Sequence, residues 1–86
     1  MKKFTYVIKE DFAIHFGPAG RLAKLCGYYA DTEAIIEMGN RSADISRPMK
    51  VATMGIRKGD AVTVTVEGPS EVELIDVLYQ YFEDTL

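Results

Sequence analysis

The stretch Ala61-Val62-Thr63-Val64-Thr65-Val66 places a valine at every second position and alanine or threonine between them. Successive side chains of a β-strand point to opposite faces, so this pattern predicts a strand with one apolar and one polar face. Such strands are typical of antiparallel sheets that are covered on one side only. The stretch therefore predicts a sheet with one solvated face.

Three further segments complete the predicted sheet. Residues 4–8 alternate, with Phe4, Tyr6 and Ile8 on one face. Residues 34–38 and 41–45 flank Gly39-Asn40, a dipeptide typical of tight turns, and predict a β-hairpin. We therefore expect four antiparallel strands.

Three segments have helical character: residues 16–29, residues 46–54 and the segment from Ser70 onward. The predicted apolar stripes are Ala19, Leu22, Ala23, Cys26 and Tyr29 in the first and Val72, Ile75, Leu78, Tyr79 and Phe82 in the last. Ser46 is a possible N-cap, and Ser70 with Glu73 has the spacing of a capping box. The order β-α-β-β-α-β-α predicts an α+β fold with a four-stranded antiparallel sheet and three helices on one face.

Composition limits the classes of function. The chain has 86 residues, enough for one domain over residues 1–86, and a formal net charge of −3, which gives no basis for binding nucleic acid. No apolar run approaches the roughly 20 residues that cross a bilayer, and the N-terminal segment lacks the apolar region of a signal peptide. We expect a cytoplasmic protein that is not membrane-embedded. The single cysteine, Cys26, is interpreted as a core residue.

The candidate site is the segment Ile14-His15-Phe16-Gly17-Pro18-Ala19-Gly20, which contains the only histidine of the chain. Pro18 suits the first turn of a helix, where its missing N–H costs no hydrogen bond. A helix N-terminus presents unpaired N–H groups and a positive partial charge, and so binds phosphate. Because imidazole nitrogen is a nucleophile that can carry a phosphoryl group, His15 is the predicted phosphoryl acceptor.

The candidate functional residues also have simpler, structural interpretations. A lone histidine is more often structural or simply exposed. Phe16, Pro48 and Met49 suit either the core or a partner contact, and Arg21 with Lys24 suit either a solvated face or a docking surface for acidic partners. One histidine and one cysteine do not make a typical zinc site, and no nucleotide-binding motif or hydrolase arrangement is found. We expect no metal and no cofactor.

The whole chain resembles the histidine-containing phosphocarrier proteins (HPr) of the bacterial sugar phosphotransferase system. The residues that carry the resemblance are Ala13-Ile14-His15, Pro18-Ala19, Gly39-Asn40, Met49, Met54-Gly55-Ile56 and Lys58-Gly59-Asp60. The resemblance implies an open-faced β-sandwich, with His15 accepting a phosphoryl group on Nδ1 from enzyme I and passing it to IIA proteins. Phosphoenolpyruvate would be the ultimate donor. The protein would be a monomeric carrier with a phosphohistidine intermediate, not a stand-alone enzyme.

The resemblance also implies roles for residues around His15. The backbone at Phe16 and Gly17 would contact the phosphate. The surface shared by donor and acceptor proteins would comprise Phe16, Gly20, Arg21, Lys24, Arg47, Pro48 and Met49.

Two departures from the family pattern bear on function. The family usually has arginine where this chain has Gly17, so a phosphate-neutralising cation is missing, and we hypothesise that Arg47 partly replaces it. Many members carry a regulatory serine that aligns with Arg47, one residue after Ser46. Ser46 is therefore a poor match for a serine-kinase site. The alternative function is a divergent regulatory or protein-binding module with weak or no phosphotransfer.

Overall fold

A computed structural model describes residues 1–10 and 15–86 of the chain, so Ala13 and Ile14 of the motif lie outside the described residues. Strands and helices follow one another in the predicted order β-α-β-β-α-β-α. They are β1 (Lys2–Val7), α1 (Phe16–Gly27), β2 (Glu33–Met38), β3 (Arg41–Asp44), α2 (Pro48–Ala52), β4 (Ala61–Glu67) and α3 (Glu71–Thr85).

The alternating strand β4 lies inside the sheet, whose strand order is β1-β4-β2-β3 with antiparallel pairing throughout. Val64 of β4 lies opposite Phe4 of β1 on one side and Ile36 of β2 on the other. The valines of β4 are almost fully buried, whereas Thr63 and Thr65 are partly exposed on the opposite face. This confirms the predicted antiparallel sheet with one open face.

The helices cover the valine face and form the core with it. Helix α1 buries Ala19, Leu22 and Cys26 of its predicted stripe, whereas Ala23 and Tyr29 are half-buried and Tyr29 lies beyond the end of the helix at Gly27. Burial of a leucine side chain such as that of Leu22 stabilises the fold by about 1.5–3 kcal/mol. The core thus fixes α1 on the sheet and, with it, the position of the residue that precedes the helix.

The predicted stripe of α3 is partly wrong. Leu74, Leu78 and Phe82 are fully buried, whereas Val72 is 65% exposed and Tyr79 is 39% exposed. Residues spaced by four lie on one side of a helix, and Val72 is two positions from Leu74 and so points away from the sheet. The abundance of apolar residues in this segment allowed two stripes, and packing against the sheet selected the one through Leu74.

Both predicted serine caps are also corrected. Ser70 is the N-cap residue of α3, but its side chain makes no cap hydrogen bond, because its backbone (φ −102°, ψ 21°) is not in the extended conformation that such caps use. Helix α2 has Arg47 as its N-cap, and the Ser46 hydroxyl donates instead to Asp44 Oδ1 at 2.6 Å. The Ser46 hydroxyl thus bonds to a local partner, whereas the Ser70 hydroxyl donates to Asp31 Oδ2 at 3.5 Å, 39 residues earlier in the chain.

Candidate functional site

His15 is the N-cap residue of α1. Its backbone is extended (φ −92°, ψ −171°), its side chain is exposed, and its carbonyl oxygen accepts the first helical hydrogen bond, from the Ala19 N–H at 3.0 Å. The imidazole Nδ1 accepts a hydrogen bond from the Gly17 N–H at 3.2 Å. The side chain thus satisfies one of the N–H groups that a helix start leaves unpaired.

This hydrogen bond distinguishes the two ring nitrogens. A neutral imidazole carries its proton on one nitrogen, so the accepting Nδ1 assigns the proton to Nε2. The nucleophilic lone pair of Nδ1 is therefore directed at the N-terminus of a 12-residue helix whose first turn contains no acidic residue. A phosphoryl group on Nδ1 would lie where the helix N–H groups and the macrodipole stabilise negative charge.

Gly17 lies directly against the imidazole ring. A Cβ atom built on Gly17 would be 3.0 Å from His15 Cε1 and 3.4 Å from Nδ1. Any side chain at this position would force the ring to shift by a few tenths of an ångström. The glycine that replaces the family's arginine thus also permits the observed position of the ring, a contact that the sequence could not reveal.

The predicted partner-binding residues lie on two helices that pack against each other. Helix α1 carries exposed Arg21 and Lys24 and half-buried Gly20, with open space beside the glycine. Phe16, at its start, is 59% exposed. An apolar side chain exposed to this extent beside a reactive group is typical of a contact surface.

The part of the predicted surface on α2 is also accessible. Met49 is 62% exposed and Pro48 is half-buried. Arg47 is exposed, and its side chain makes no hydrogen bond as the N-cap of α2. These three residues therefore present an apolar group and a cation from the helix that packs on α1.

Ser46 has a local structural role. Asp44 Oδ1 accepts hydrogen bonds from both the Ser46 N–H at 2.9 Å and the Ser46 hydroxyl. A phosphate on this hydroxyl would meet the Asp44 carboxylate, and the like charges would repel each other. The geometry thus gives a second reason, besides the register, against a kinase site at Ser46.

Cys26 is buried, and burial together with the nearby Asp44 carboxylate raises the pKa of its thiol to about 11. A thiol with this pKa stays protonated at neutral pH and is a poor nucleophile, which fits the predicted core role. Within residues 1–10 and 15–86, no three His, Cys, Asp or Glu side chains are grouped to hold a metal. No helix in this part of the chain is long and apolar enough to cross a membrane.

The sequence analysis assigned no role to one exposed aromatic residue that directly follows α1. Tyr28, the C-cap residue, is 71% exposed and borders a groove shared with Arg21 and Lys24. The available signal was the spacing of Arg21, Leu25 and Tyr28, which places all three on one side of a helix.

Comparisons with known proteins show which family this chain resembles in sequence. The family described as "PTS HPr component phosphorylation site" matches residues 2–84. The chain is 29% identical over 75 residues to phosphocarrier protein HPr of Mycoplasma genitalium, covering 87% of this chain and 85% of that protein. It is 30% identical over 76 residues to DhaM of Providencia stuartii, the phosphoryl donor subunit of a PEP-dependent dihydroxyacetone kinase, covering 87% of this chain but 16% of that protein.

The fold agrees as well. A solved Mycoplasma histidine-containing phosphocarrier protein matches with a TM-score of 0.91 at 25% identity, covering 98% of this chain and 94% of that one.

Proposed function

The chain belongs to the HPr phosphocarrier family of the phosphotransferase system, and we propose that it accepts a phosphoryl group on His15 from enzyme I and passes it to IIA proteins in sugar uptake. The observation that supports this most directly is the hydrogen bond from the Gly17 N–H to His15 Nδ1. It directs a nucleophilic lone pair at a helix N-terminus free of acidic side chains.

The transfer step follows from this geometry. The Nδ1 lone pair attacks the phosphorus atom held by the donor, the new N–P bond forms, and the donor leaves with the electrons of its own bond to phosphorus. Nε2 keeps its proton throughout. The Gly17 N–H, released from Nδ1, would donate to a phosphoryl oxygen together with the N–H of Phe16. Transfer to an acceptor reverses these changes.

The phosphate needs more positive charge than the first turn of α1 provides, since residues 16–20 are uncharged. We assign part of this role to Arg47, whose guanidinium is exposed at the start of α2. We expect Arg47→Ala to slow phosphorylation of His15 about threefold to tenfold, equivalent to one solvent-exposed charge-assisted hydrogen bond. The initial rate with limiting enzyme I measures this effect.

Arg57→Ala is the matched control, because Arg57 is an exposed arginine whose described hydrogen bond is made by its backbone N–H. Equal rates for Arg47→Ala and the unsubstituted protein would remove Arg47 from the phosphate site.

The carrier would work with its partners and not as a stand-alone enzyme. His15 is exposed, so the donor and the acceptor each complete the reaction site when they dock around it. We place the carrier as a single-domain monomer in the cytoplasm, where phosphoenolpyruvate, the ultimate donor, is made. Because one relative is a dihydroxyacetone kinase donor subunit, dihydroxyacetone kinase subunits form a second class of acceptor to assay.

The deciding experiment incubates the protein with phosphoenolpyruvate and a purified, active enzyme I. We expect an acid-labile phosphohistidine in mass spectra and phosphorus NMR spectra, and its loss in His15→Ala. If the folded protein stays unmodified while a control HPr is phosphorylated, the carrier function is wrong. The regulatory or protein-binding alternative, suggested by the missing arginine at Gly17, would then be favoured.

A further inference from the structure

The open face of the sheet, on the side away from the three helices, carries a depression. The residues of β2 and β4 that line it are Glu33, Ile35, Glu37, Thr65 and Glu67. The residues that alternate with them on β2, Ala34 and Ile36, are buried in the core. Along β2 the open face therefore presents a glutamate, an isoleucine and a glutamate in succession. We call Glu33, Ile35, Glu37 and Glu67 the acidic sheet patch.

Two glutamates of the patch lie directly opposite each other. Glu33, the first residue of β2, pairs with Glu67, the last residue of β4. Like charges in this arrangement destabilise an antiparallel sheet. Both residues are exposed, so packing does not require a glutamate at either position. Departures of this kind from local rules concentrate at functional sites.

The charge of the patch is not neutralised by ion pairs within the part of the chain that the structure describes. The salt bridges found there involve Glu71 and Glu83. Lys3 also lines the depression, but it lies opposite Thr65 and forms no salt bridge with the glutamates of the patch. The patch thus presents three carboxylates to an incoming cation.

The acidic sheet patch and the phosphoryl site lie on opposite sides of the sheet. His15 begins α1, which packs on the covered face, whereas the patch occupies the open face. The exposed cations Arg21, Lys24 and Arg47 also lie on or beside the helices. The molecule therefore has a basic helical side and an acidic sheet side, and a partner on the patch would leave His15 accessible.

We propose that the acidic sheet patch docks a basic, extended segment of another protein, in which lysine or arginine lies two residues before and two residues after an apolar residue. Side chains on one face of an extended chain recur every two residues, about 7 Å. The two cations therefore match the spacing of Glu33 and Glu37, and the apolar side chain meets Ile35, which is half-buried. A cation beside Glu33 would also relieve its repulsion from Glu67.

This contact goes beyond phosphoryl transfer, because it would hold the carrier to a third protein while His15 meets its donor or acceptor. One extended segment covers much less than the roughly 800 Å² that a stable partner buries on each side, so we expect weak binding. Because the attraction joins exposed charges, binding should weaken further as salt is added.

The test titrates a synthetic peptide into ¹⁵N-labelled protein at low ionic strength. The peptide has seven residues, with lysine at the second and sixth positions, leucine at the fourth and threonine elsewhere. We expect saturable shifts of the amide signals of the patch, and no shifts at Phe16 and Gly17 beside His15. The variant Glu33→Gln/Glu67→Gln should weaken binding at least fivefold.

Two matched controls separate docking from general attraction of a polycation. Glu73→Gln/Asp76→Asn removes the same charge from exposed residues of α3 and should leave the affinity unchanged. A peptide of the same composition with its two lysines adjacent should bind at least threefold more weakly. Circular dichroism establishes that each variant is folded.

Three outcomes of the titration would overturn the proposal. Equal affinity for the two peptides, or equal affinity of the two double variants, would show adventitious binding of a polycation only. Shifts centred outside the patch would place the peptide elsewhere. Patch signals that move with protein concentration in the absence of peptide would show that a second copy of this chain occupies the face.

A second measurement does not depend on a ligand. Repulsion between Glu33 and Glu67 predicts that Glu33→Gln raises the melting temperature by about 1–4 °C at low salt, and by less at high salt. Glu37→Gln should not, because Glu37 lies opposite Ser42 and Thr63. An unchanged or lower melting temperature of Glu33→Gln would remove the unfavourable pair from which the proposal starts and would overturn it.

Discussion

Helices α1 and α3 start in opposite ways. Before α3, the Gly68 N–H donates to Glu71 Oε1 at 3.2 Å, and the first turn holds both Glu71 and Glu73. At the start of α1, a neutral ring nitrogen accepts from the Gly17 N–H, and no acidic residue is present in the first turn. Every helix N-terminus favours negative charge, but α3 supplies that charge from its own side chains. Of these two helices, α1 is the one whose first turn supplies no negative charge of its own.

An acidic residue in the first turn of α1 would remove this difference between the two helices. We expect Phe16→Glu to slow phosphorylation of His15 at least tenfold, because its carboxylate would repel the phosphoryl group and compete for the same helix N–H groups. Initial rates with enzyme I and phosphoenolpyruvate measure the effect.

Phe16→Gln is the matched control, since it removes the exposed ring without adding charge. If the glutamate and glutamine variants were equally slow, loss of the apolar contact would explain the result, and the absence of acidic residues from the first turn of α1 would not matter.

A smaller effect on the phosphorylation rate is expected when a side chain is placed beside the imidazole ring of His15. Gly17→Ala places a methyl group 3.0 Å from His15 Cε1 and so displaces the imidazole. We expect phosphorylation to slow about threefold to fivefold, of the order of a weakened hydrogen bond. The fold should meanwhile gain up to about 1 kcal/mol, because alanine is a better helix former than glycine. Thermal unfolding and initial rates, compared for the same preparation, measure the two effects.

Gly20→Ala is the control for helix propensity, since nothing lies within 4 Å of a Cβ at Gly20. It should increase stability without moving the ring. A Gly17→Ala variant that transfers phosphate at the normal rate would show that the ring position seen here is not required.

The smallest effect is expected for Glu71→Gln in the first turn of α3, and it concerns the pH dependence of stability. Bonds from the Met1 ammonium group and then from the Gly68 N–H lower the pKa of Glu71 below its ordinary value. A lowered carboxyl pKa contributes stability that is complete above the unfolded-state pKa, about 4.3, and is lost as pH falls through the folded-state pKa. The melting temperature of Glu71→Gln should therefore decline less between pH 6 and pH 3 than that of the unsubstituted protein.

Glu71→Gln should also leave phosphorylation of His15 unchanged, because α3's first turn takes no part in the transfer. If the melting temperatures of Glu71→Gln and of the unsubstituted protein declined equally as pH falls, this result would contradict the assigned role of Glu71. A slower phosphorylation rate would contradict the contrast between the two helices.

Much of the fold could be predicted from local patterns. The alternation of residues 61–66 indicated a one-sided sheet, and the spacing of Ala19, Leu22 and Cys26 indicated the buried side of α1. These predictions succeeded because a strand or helix with a single apolar side has only one way to bury it. In α3 two sides were apolar enough, and only packing on the sheet could choose Leu74 over Val72.

The start of α1 was predictable from the sequence, but the geometry around His15 was not. The position of His15 before Pro18 indicated a helix N-terminus, which the structure confirms. The contact between Gly17 and the imidazole depends on a side-chain torsion, and the groove beside Tyr28 depends on how α1 lies against α3. Neither is encoded in the spacing of residues along one element.

The measurement that tests the central claim most directly is nitrogen–phosphorus correlation NMR on the phosphorylated, ¹⁵N-histidine-labelled protein. Because the chain has one histidine, the spectrum assigns the modified nitrogen without ambiguity. We expect phosphorus coupled to Nδ1, with the Gly17 amide signal shifted as its hydrogen bond passes from the ring to the phosphate. Phosphorus on Nε2, or an unmodified imidazole in a protein that carries phosphate elsewhere, would contradict the role assigned to the start of α1.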